Sequence, residues 1–116
     1  MECLGVHLLD DLVGCDAELL DNSFYISQIM VEAARMANAT IIHKHFHKFK
    51  PQGVTGFLLL SESHISIHTW PELGKAAVDF YSCGDIDARA ARDYLVDRLK
   101  ATNSNTQEII RGSLNA

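Results

Sequence analysis

The stretch Leu60-Ser61-Glu62-Ser63-His64-Ile65-Ser66-Ile67-His68-Thr69-Trp70-Pro71-Glu72 is the part of this sequence whose residue types and spacing say most about chemistry. Alternation along an extended strand places His64, Ser66 and His68 on one side and Ile65 and Ile67 on the other. Polar groups so arranged need water or partners, so a solvent-facing strand with an ordinary loop at Glu62-Ser63 is one reading. A hydrolase with Ser63 as nucleophile and His68 as base is another, but Ser63 lacks the G-x-S-x-G elbow that exposes such a hydroxyl. Spacing alone places no oxyanion hole, so that reading has little support. A second cluster, His43-x-His45-x-His47, puts three imidazoles on one strand face, a set that suits zinc or nickel. Same-face neighbours lie roughly 6.5–7 Å apart, so one ion would reach all three only if the strand bent. A small metal-binding module on His43, His45 and His47 would bind metal stoichiometrically and stay one chain; a solvated or interface face is the plainer alternative.

The elements that must position these residues follow from periodicity. Cys3 to Val13 is rich in Leu and Val and reads as a strand ending at Gly14-Cys15-Asp16. After Asp21-Asn22, a capping pair, Ile26, Ile29, Met30, Ala33, Ala34 and Ala37 recur at helical spacing, with Asn38 as the stop. From Thr40 to Phe49 the period becomes two, with Ile42, Lys44, Phe46 and Lys48 on one face and Ile41, His43, His45, His47 and Phe49 on the other. Lys50-Pro51-Gln52-Gly53 turns the chain. Strands are expected over Val54 to Ser61, Ile65 to Thr69 and Ala76 to Tyr81, with loops at Glu62-Ser63-His64 and Trp70 to Gly74. Asp87 to Ala101 returns to helical spacing, and Gln107 to Arg111 reads as a short last strand. This order predicts an α+β two-layer sandwich, a largely antiparallel sheet with two helices on one face. The other face then needs cover, which favours a dimer.

Composition bounds the rest. The chain of 116 residues sits in the single-domain range, with 47% hydrophobic and 22% charged residues. Ten Lys+Arg against fifteen Asp+Glu give a net charge of −5, which disfavours non-specific nucleic-acid binding. Residues 1–34 carry Glu2, Asp10, Asp11, Asp16, Glu18, Asp21 and Glu32 and no Lys or Arg, unlike the basic start of a secretory or organellar signal. The longest apolar run, Phe57-Leu58-Leu59-Leu60, falls far short of the roughly 18–20 residues that cross a bilayer, so a soluble cytoplasmic protein is expected. Cys3, Cys15 and Cys83 are odd in number and lack C-x-x-C spacing, so they are expected as free thiols.

The Glu62-Ser63-His64 to His68-Thr69-Trp70-Pro71-Glu72 segment resembles the self-processing region of the short, pyruvoyl-dependent S-adenosylmethionine decarboxylases of bacteria and archaea. The likeness takes in Phe46-His47, Phe49, Pro51 and Gly53-Val54 before it, and Ala76-Ala77-Val78-Asp79 and Cys83-Gly84 after it. Leu4-Gly5 and His7-Leu8 fit as well, so it covers about residues 4–100. Removing CO₂ from an α-amino acid leaves negative charge on Cα, which no ordinary side chain can delocalise. The resemblance implies a pyruvoyl group, made from Ser63, whose ketone condenses with the substrate amine and accepts that charge. It implies attack of the Ser63 hydroxyl on the Glu62 carbonyl and division of the single domain 1–116 into fragments 1–62 and 63–116.

The same resemblance assigns further roles. His68 handles protons during processing, Cys83 returns a proton to Cα, and position 55, often serine in this class, is Thr55 here; its hydroxyl survives but its added methyl restricts the rotamer. Phe49 and Trp70 flank the adenine and shelter the sulfonium, Glu72 accepts from the ribose hydroxyls, and Leu60 lines the same pocket. The implied partners are S-adenosylmethionine and a second copy of the chain, in a homodimer whose interface the pocket spans; no nucleic acid, membrane or metal is implied. A pyruvoyl-dependent decarboxylase of arginine or ornithine is the nearer alternative, although it should lack the adenine platform that Phe49, Trp70 and Glu72 provide.

Overall fold

The computed structural model describes residues 5–83 and 86–112. Cys3, Leu4 and Gly84, which figured in the expectations above, lie outside the described residues. Six strands, β1 (Gly5–Val13), β2 (Ile41–Lys48), β3 (Val54–Leu60), β4 (Ser63–Trp70), β5 (Lys75–Ser82) and β6 (Asn103–Arg111), form one sheet in the order β2-β3-β4-β5-β1-β6. Every neighbouring pair is antiparallel. Helices α2 (Ser23–Met36) and α3 (Ala88–Arg98) cover one face, and a one-turn helix, α1 (Ala17–Leu20), precedes them. The chain is thus the expected α+β two-layer sandwich.

Helix boundaries follow cap chemistry. The Asn22 side chain accepts from the Tyr25 amide to start α2, and Asp87 accepts from the Ala90 amide to start α3. The α2 stripe Ile26, Ile29, Met30, Ala33 and Ala34 is buried with Ala91 and Leu95 of α3 against Leu8, Leu12, Leu58, Leu60, Ile65, Ile67, Val78 and Phe80 of the sheet. Each fully buried Leu, Ile or Phe contributes roughly 1.5–3 kcal/mol relative to exposure, so this single layer of contact is the main source of stability.

Several local expectations need correction. Ser63 and His64 are not loop residues: they open β4, because Ser61 and Glu62 alone make the turn and Leu60 pairs with Ser63. Trp70 likewise ends β4 rather than starting a loop, followed by a 3-10 turn over Pro71–Leu73 that Gly74 closes at φ 63°. Ile41 does not share a face with His43, since a register shift between them pairs Ile41 with Leu60 and turns it toward the helices. The last strand is longer than expected: its polar Ser104 and Thr106 are turned inward, Ser104 Oγ accepting from Arg92 Nη2 (2.6 Å) and Thr106 Oγ1 donating to the buried Asp10 carboxylate (3.1 Å). Arg92 Nε also donates to Asp10 (2.8 Å), so this network ties α3 to β1 and β6.

Cysteine chemistry differs too. Cys83 is disulfide-bonded rather than a free thiol. The β1–β5 register, Val6 opposite Ser82, carries the chain leaving β5 past the start of β1, a proximity that cysteine spacing in the sequence does not reveal. Cys15 is free and buried, and burial pushes its thiol up to about 11, which makes it inert at neutral pH.

Candidate active site

Two separate groups of the anticipated residues emerge at opposite ends of β4. At its start, Ser63 is buried and faces the helices with Ile65 and Ile67. Among the described residues, Ser63 Oγ is the one buried side-chain polar atom with no hydrogen-bond partner. An unpaired buried hydroxyl costs about 1–3 kcal/mol, so its presence calls for a functional account. The residue before it, Glu62, has φ 68°, a left-handed conformation that a non-glycine residue adopts only when the surroundings impose it. The ladder pairing His64 with Tyr81 brings the end of β5 alongside Ser63, and Cys83 follows directly. Leu60 is 2% exposed and sits in the core opposite Ser63 rather than in the cleft described next.

At the other end of β4, a shallow cleft of about 210 Å³ is lined by Phe49, Thr55, His68, Trp70 and Glu72 together with Gln52, Gly53 and Thr69. Five of the anticipated site residues therefore meet here. Thr55 and His68 are opposite each other on β3 and β4, with Thr55 Oγ1 3.1 Å from His68 Nδ1. Phe49 and Trp70 are 45% and 42% exposed, unusual for large aromatics, and their rings lie beside those of His47 (4.6 Å) and His68 (6.3 Å).

The cleft is framed by residues to which the sequence alone assigned no site role. Asp21 accepts from the Gly53 amide (2.8 Å) and from Lys48 Nζ (3.0 Å), and these two partners, the amide first, hold its carboxyl below the usual range. Gly53 itself has φ 107°, open to glycine but strained for other residues. Buried Thr69 donates through Oγ1 to the Leu20 carbonyl (2.8 Å) and accepts from the Val54 amide (2.9 Å), joining α1, β3 and β4 beneath the cleft. We expect Thr69→Val to lower stability by about 1–3 kcal/mol in urea unfolding, since it leaves a buried amide unpaired; an unchanged midpoint would show the hydroxyl to be dispensable.

His68 and Ser63 cannot meet within one chain. Five residues of strand separate them by about 16 Å, and their side chains leave opposite faces of the sheet. The face carrying His68 has no helix on it. It also presents Phe57, Leu59 and Ile109, all more than 40% exposed.

On the same face Asp79 accepts from His7 Nε2 (2.5 Å), His64 Nε2 (3.0 Å) and the Ser66 hydroxyl. Burial pushes the Asp79 carboxyl up, but the bonds from Ser66, His7 and His64 outweigh it and leave the group below its ordinary value. A depressed folded value means that its stabilisation is complete above about pH 4, the unfolded value, and is lost as pH falls through the folded one. The stability difference between the wild type and Asp79→Asn should accordingly shrink below about pH 4; a difference that grows on acidification would refute this. By contrast, His43, His45 and His47 remain spread along β2, and among the described residues they form no cluster able to hold an ion.

Comparison with known proteins places this arrangement in a class of decarboxylases. The family model described as S-adenosylmethionine decarboxylase matches residues 6–112. The chain is 50% identical over 113 residues to an S-adenosylmethionine decarboxylase proenzyme of Caldicellulosiruptor saccharolyticus, covering 97% of this chain and 91% of that one. It is 49% identical to the corresponding proenzyme of Acetivibrio thermocellus, with the same coverage. The crystal structure of the adenosylmethionine decarboxylase from Aquifex aeolicus superposes with a TM-score of 0.89 at 42% identity, covering 98% of this chain and 95% of that one. This chain belongs to the S-adenosylmethionine decarboxylase family.

Proposed function

We infer that the chain decarboxylates S-adenosylmethionine, using a pyruvoyl group that it makes by breaking its own backbone between Glu62 and Ser63. The observation that carries this reading is the buried, unpaired Ser63 hydroxyl directly after a left-handed Glu62. Attack of Ser63 Oγ on the Glu62 carbonyl carbon moves the acyl group from nitrogen to oxygen. The serine oxygen then leaves with the Glu62 carboxylate by β-elimination, and hydrolysis of the resulting dehydroalanine releases ammonia. The products are fragments 1–62 and 63–116, the second blocked by a pyruvoyl. A hydroxyl already held against its target can remove on the order of 7–11 kcal/mol of entropic barrier, which suits a strained two-residue turn.

When present, the pyruvoyl ketone supplies the electron sink that amino-acid decarboxylation needs. The chain's own residues do the rest. Phe49 and Trp70 flank the adenine and sulfonium, a cation–aromatic attraction worth roughly 0.5–2 kcal/mol, and Glu72 accepts from the ribose hydroxyls. Cys83 Sγ, once exchange with an external thiol, itself oxidised to a disulfide, has reduced its disulfide, holds the proton that returns to Cα. Thr55 fixes the His68 ring through Nδ1, leaving Nε2 to move protons during processing.

The separation of Ser63 from His68 supports a homodimer in which each copy's Thr55, His68 and aromatic cleft serve the Ser63 and Cys83 of the other. The apolar residues on the uncovered sheet face support the same assembly. A cytoplasmic location accords with the described residues, in which no helix is long and apolar enough to cross a membrane. The product, decarboxylated S-adenosylmethionine, is an aminopropyl donor for spermidine synthesis. Intact-mass analysis together with CO₂ release tests the reading. Two fragments meeting at Glu62 and release from S-adenosylmethionine but not from arginine or ornithine are expected; activity in a wholly unbroken preparation would overturn it.

A further inference from the structure

Three neighbouring strands collect ligand-type side chains that lie far apart in the sequence. His7 of β1 and His64 of β4 both pair with Tyr81 of β5, from opposite sides, and Asp79 lies two residues along β5 on the same face. Among the described residues, this is the one group of three His, Cys, Asp or Glu side chains whose ligand atoms all lie within 4.8 Å of one another. Both imidazole Nε2 atoms converge on a single oxygen, Asp79 Oδ2, at 2.5 and 3.0 Å. The Ser66 hydroxyl holds the other oxygen, Oδ1, and the Tyr81 ring flanks both imidazoles at 5.4 and 6.0 Å. We propose that His7, His64 and Asp79 form a binding site for a borderline divalent metal ion of the zinc and cobalt type.

The donor set decides the class of ion. Two neutral imidazoles and one carboxylate suit zinc, cobalt or nickel, whereas magnesium and calcium take oxygen ligands. Bonds of about 2.0–2.2 Å place tetrahedral ligand atoms roughly 3.3–3.5 Å apart, so the present contacts need open by only about 1 Å or less. Ser66 on Oδ1 orients the carboxylate so that Oδ2 faces the ion, the outer-shell support that such ligands usually have. The fourth position is left to water. One group opposes binding: Arg111 donates to His7 Nδ1 (3.2 Å), which leaves the ring proton on Nε2 in the metal-free chain. Metal entry at the two Nε2 atoms shifts the proton of each ring to its Nδ1 and turns the exposed Arg111 side chain away from His7, with no net proton lost from either ring. The site itself does not depend on the proposed cleavage. If the chain is cut after Glu62, however, His7 belongs to one fragment and His64 and Asp79 to the other, so a bound ion ties the two together.

The test is a titration of cobalt(II) into the chelator-treated full-length protein, followed by visible absorption, with zinc as competitor. A tetrahedral cobalt spectrum saturating at one equivalent and abolished by zinc is expected. His7→Gln and Asp79→Asn should each weaken binding at least tenfold, with circular dichroism used to confirm that each folds. Arg111→Gln should tighten it several-fold, while the His43→Gln, His45→Gln double variant should bind as the wild type does. Ser63→Ala protein, uncut, should bind as well as cut protein, which separates this proposal from that of self-processing. No saturable spectrum, binding that survives both His7→Gln and Asp79→Asn, or binding lost with His43 and His45 would each overturn it.

Discussion

Ser63→Ala should yield a single unbroken polypeptide, and decarboxylation of S-adenosylmethionine should fall by on the order of 10⁴-fold or more, into the background. The loss is this large because one hydroxyl serves two purposes. In the proposed mechanism it is both the nucleophile of the backbone cut and the oxygen whose departure creates the keto group, and no neighbouring side chain would replace it in either role. Alanine also removes the one unpaired buried side-chain oxygen among the described residues, so the variant should unfold at a denaturant concentration equal to or above that of uncut wild type. Mass spectrometry, CO₂ release and urea titration on one preparation make the check. Cleavage or turnover in Ser63→Ala would remove Ser63 from the mechanism.

The second large effect concerns who helps whom. His68→Ala alone should abolish cutting, and so should Ser63→Ala alone, yet co-expression of the two should restore it in part. In a mixed dimer, the intact Ser63 of one copy faces the intact His68 of the other, while the remaining site lacks both. Random pairing makes half of the dimers mixed, with one competent site in two, so about a quarter of the wild-type activity is expected. The basis is geometric: about 16 Å of strand and the sheet itself separate Ser63 from the His68 of its own chain. Absence of any rescue, with dimers verified by differently tagged copies, would mean that His68 acts within its own chain or not at all.

The extent to which all this was legible varied with the kind of signal. Helix α2 and the faces of β4 were readable because periods of 3.6 and 2 are set by side chains that must be buried. The register shift at Ile41 was not, because one extra residue in a strand leaves no mark in composition. The first part of β6, residues 103–106, was missed for a similar reason: Ser104 and Thr106 look like loop residues until Arg92 and Asp10 are known to lie beneath them. Within the site, Phe49, Thr55, His68, Trp70 and Glu72 were named by family resemblance, and the fold brings them to one cleft. Ser63 and His68, both assigned to processing by the resemblance, lie far apart within one chain. Alternation already places them on opposite faces, but five residues of separation become 16 Å only once the segment is known to be extended throughout. His7, His64 and Asp79 were invisible as a group, because their meeting depends on β1 inserting beside β5, a fact of topology rather than of any local pattern.

That insertion has a consequence for a protein severed at residue 62. The earlier piece would own the first, second and fifth places in the sheet order and the later piece the third, fourth and sixth, so the halves are interlaced like the fingers of folded hands. Neither can leave without breaking three seams of backbone hydrogen bonds, and the scission falls at a hairpin tip where no seam is lost. Denaturation should therefore stay cooperative after the cut. Renaturation, by contrast, would become an encounter between two molecules and slow with dilution, so a chain that cuts itself there would gain its reagent at the cost of an easy way back once unfolded.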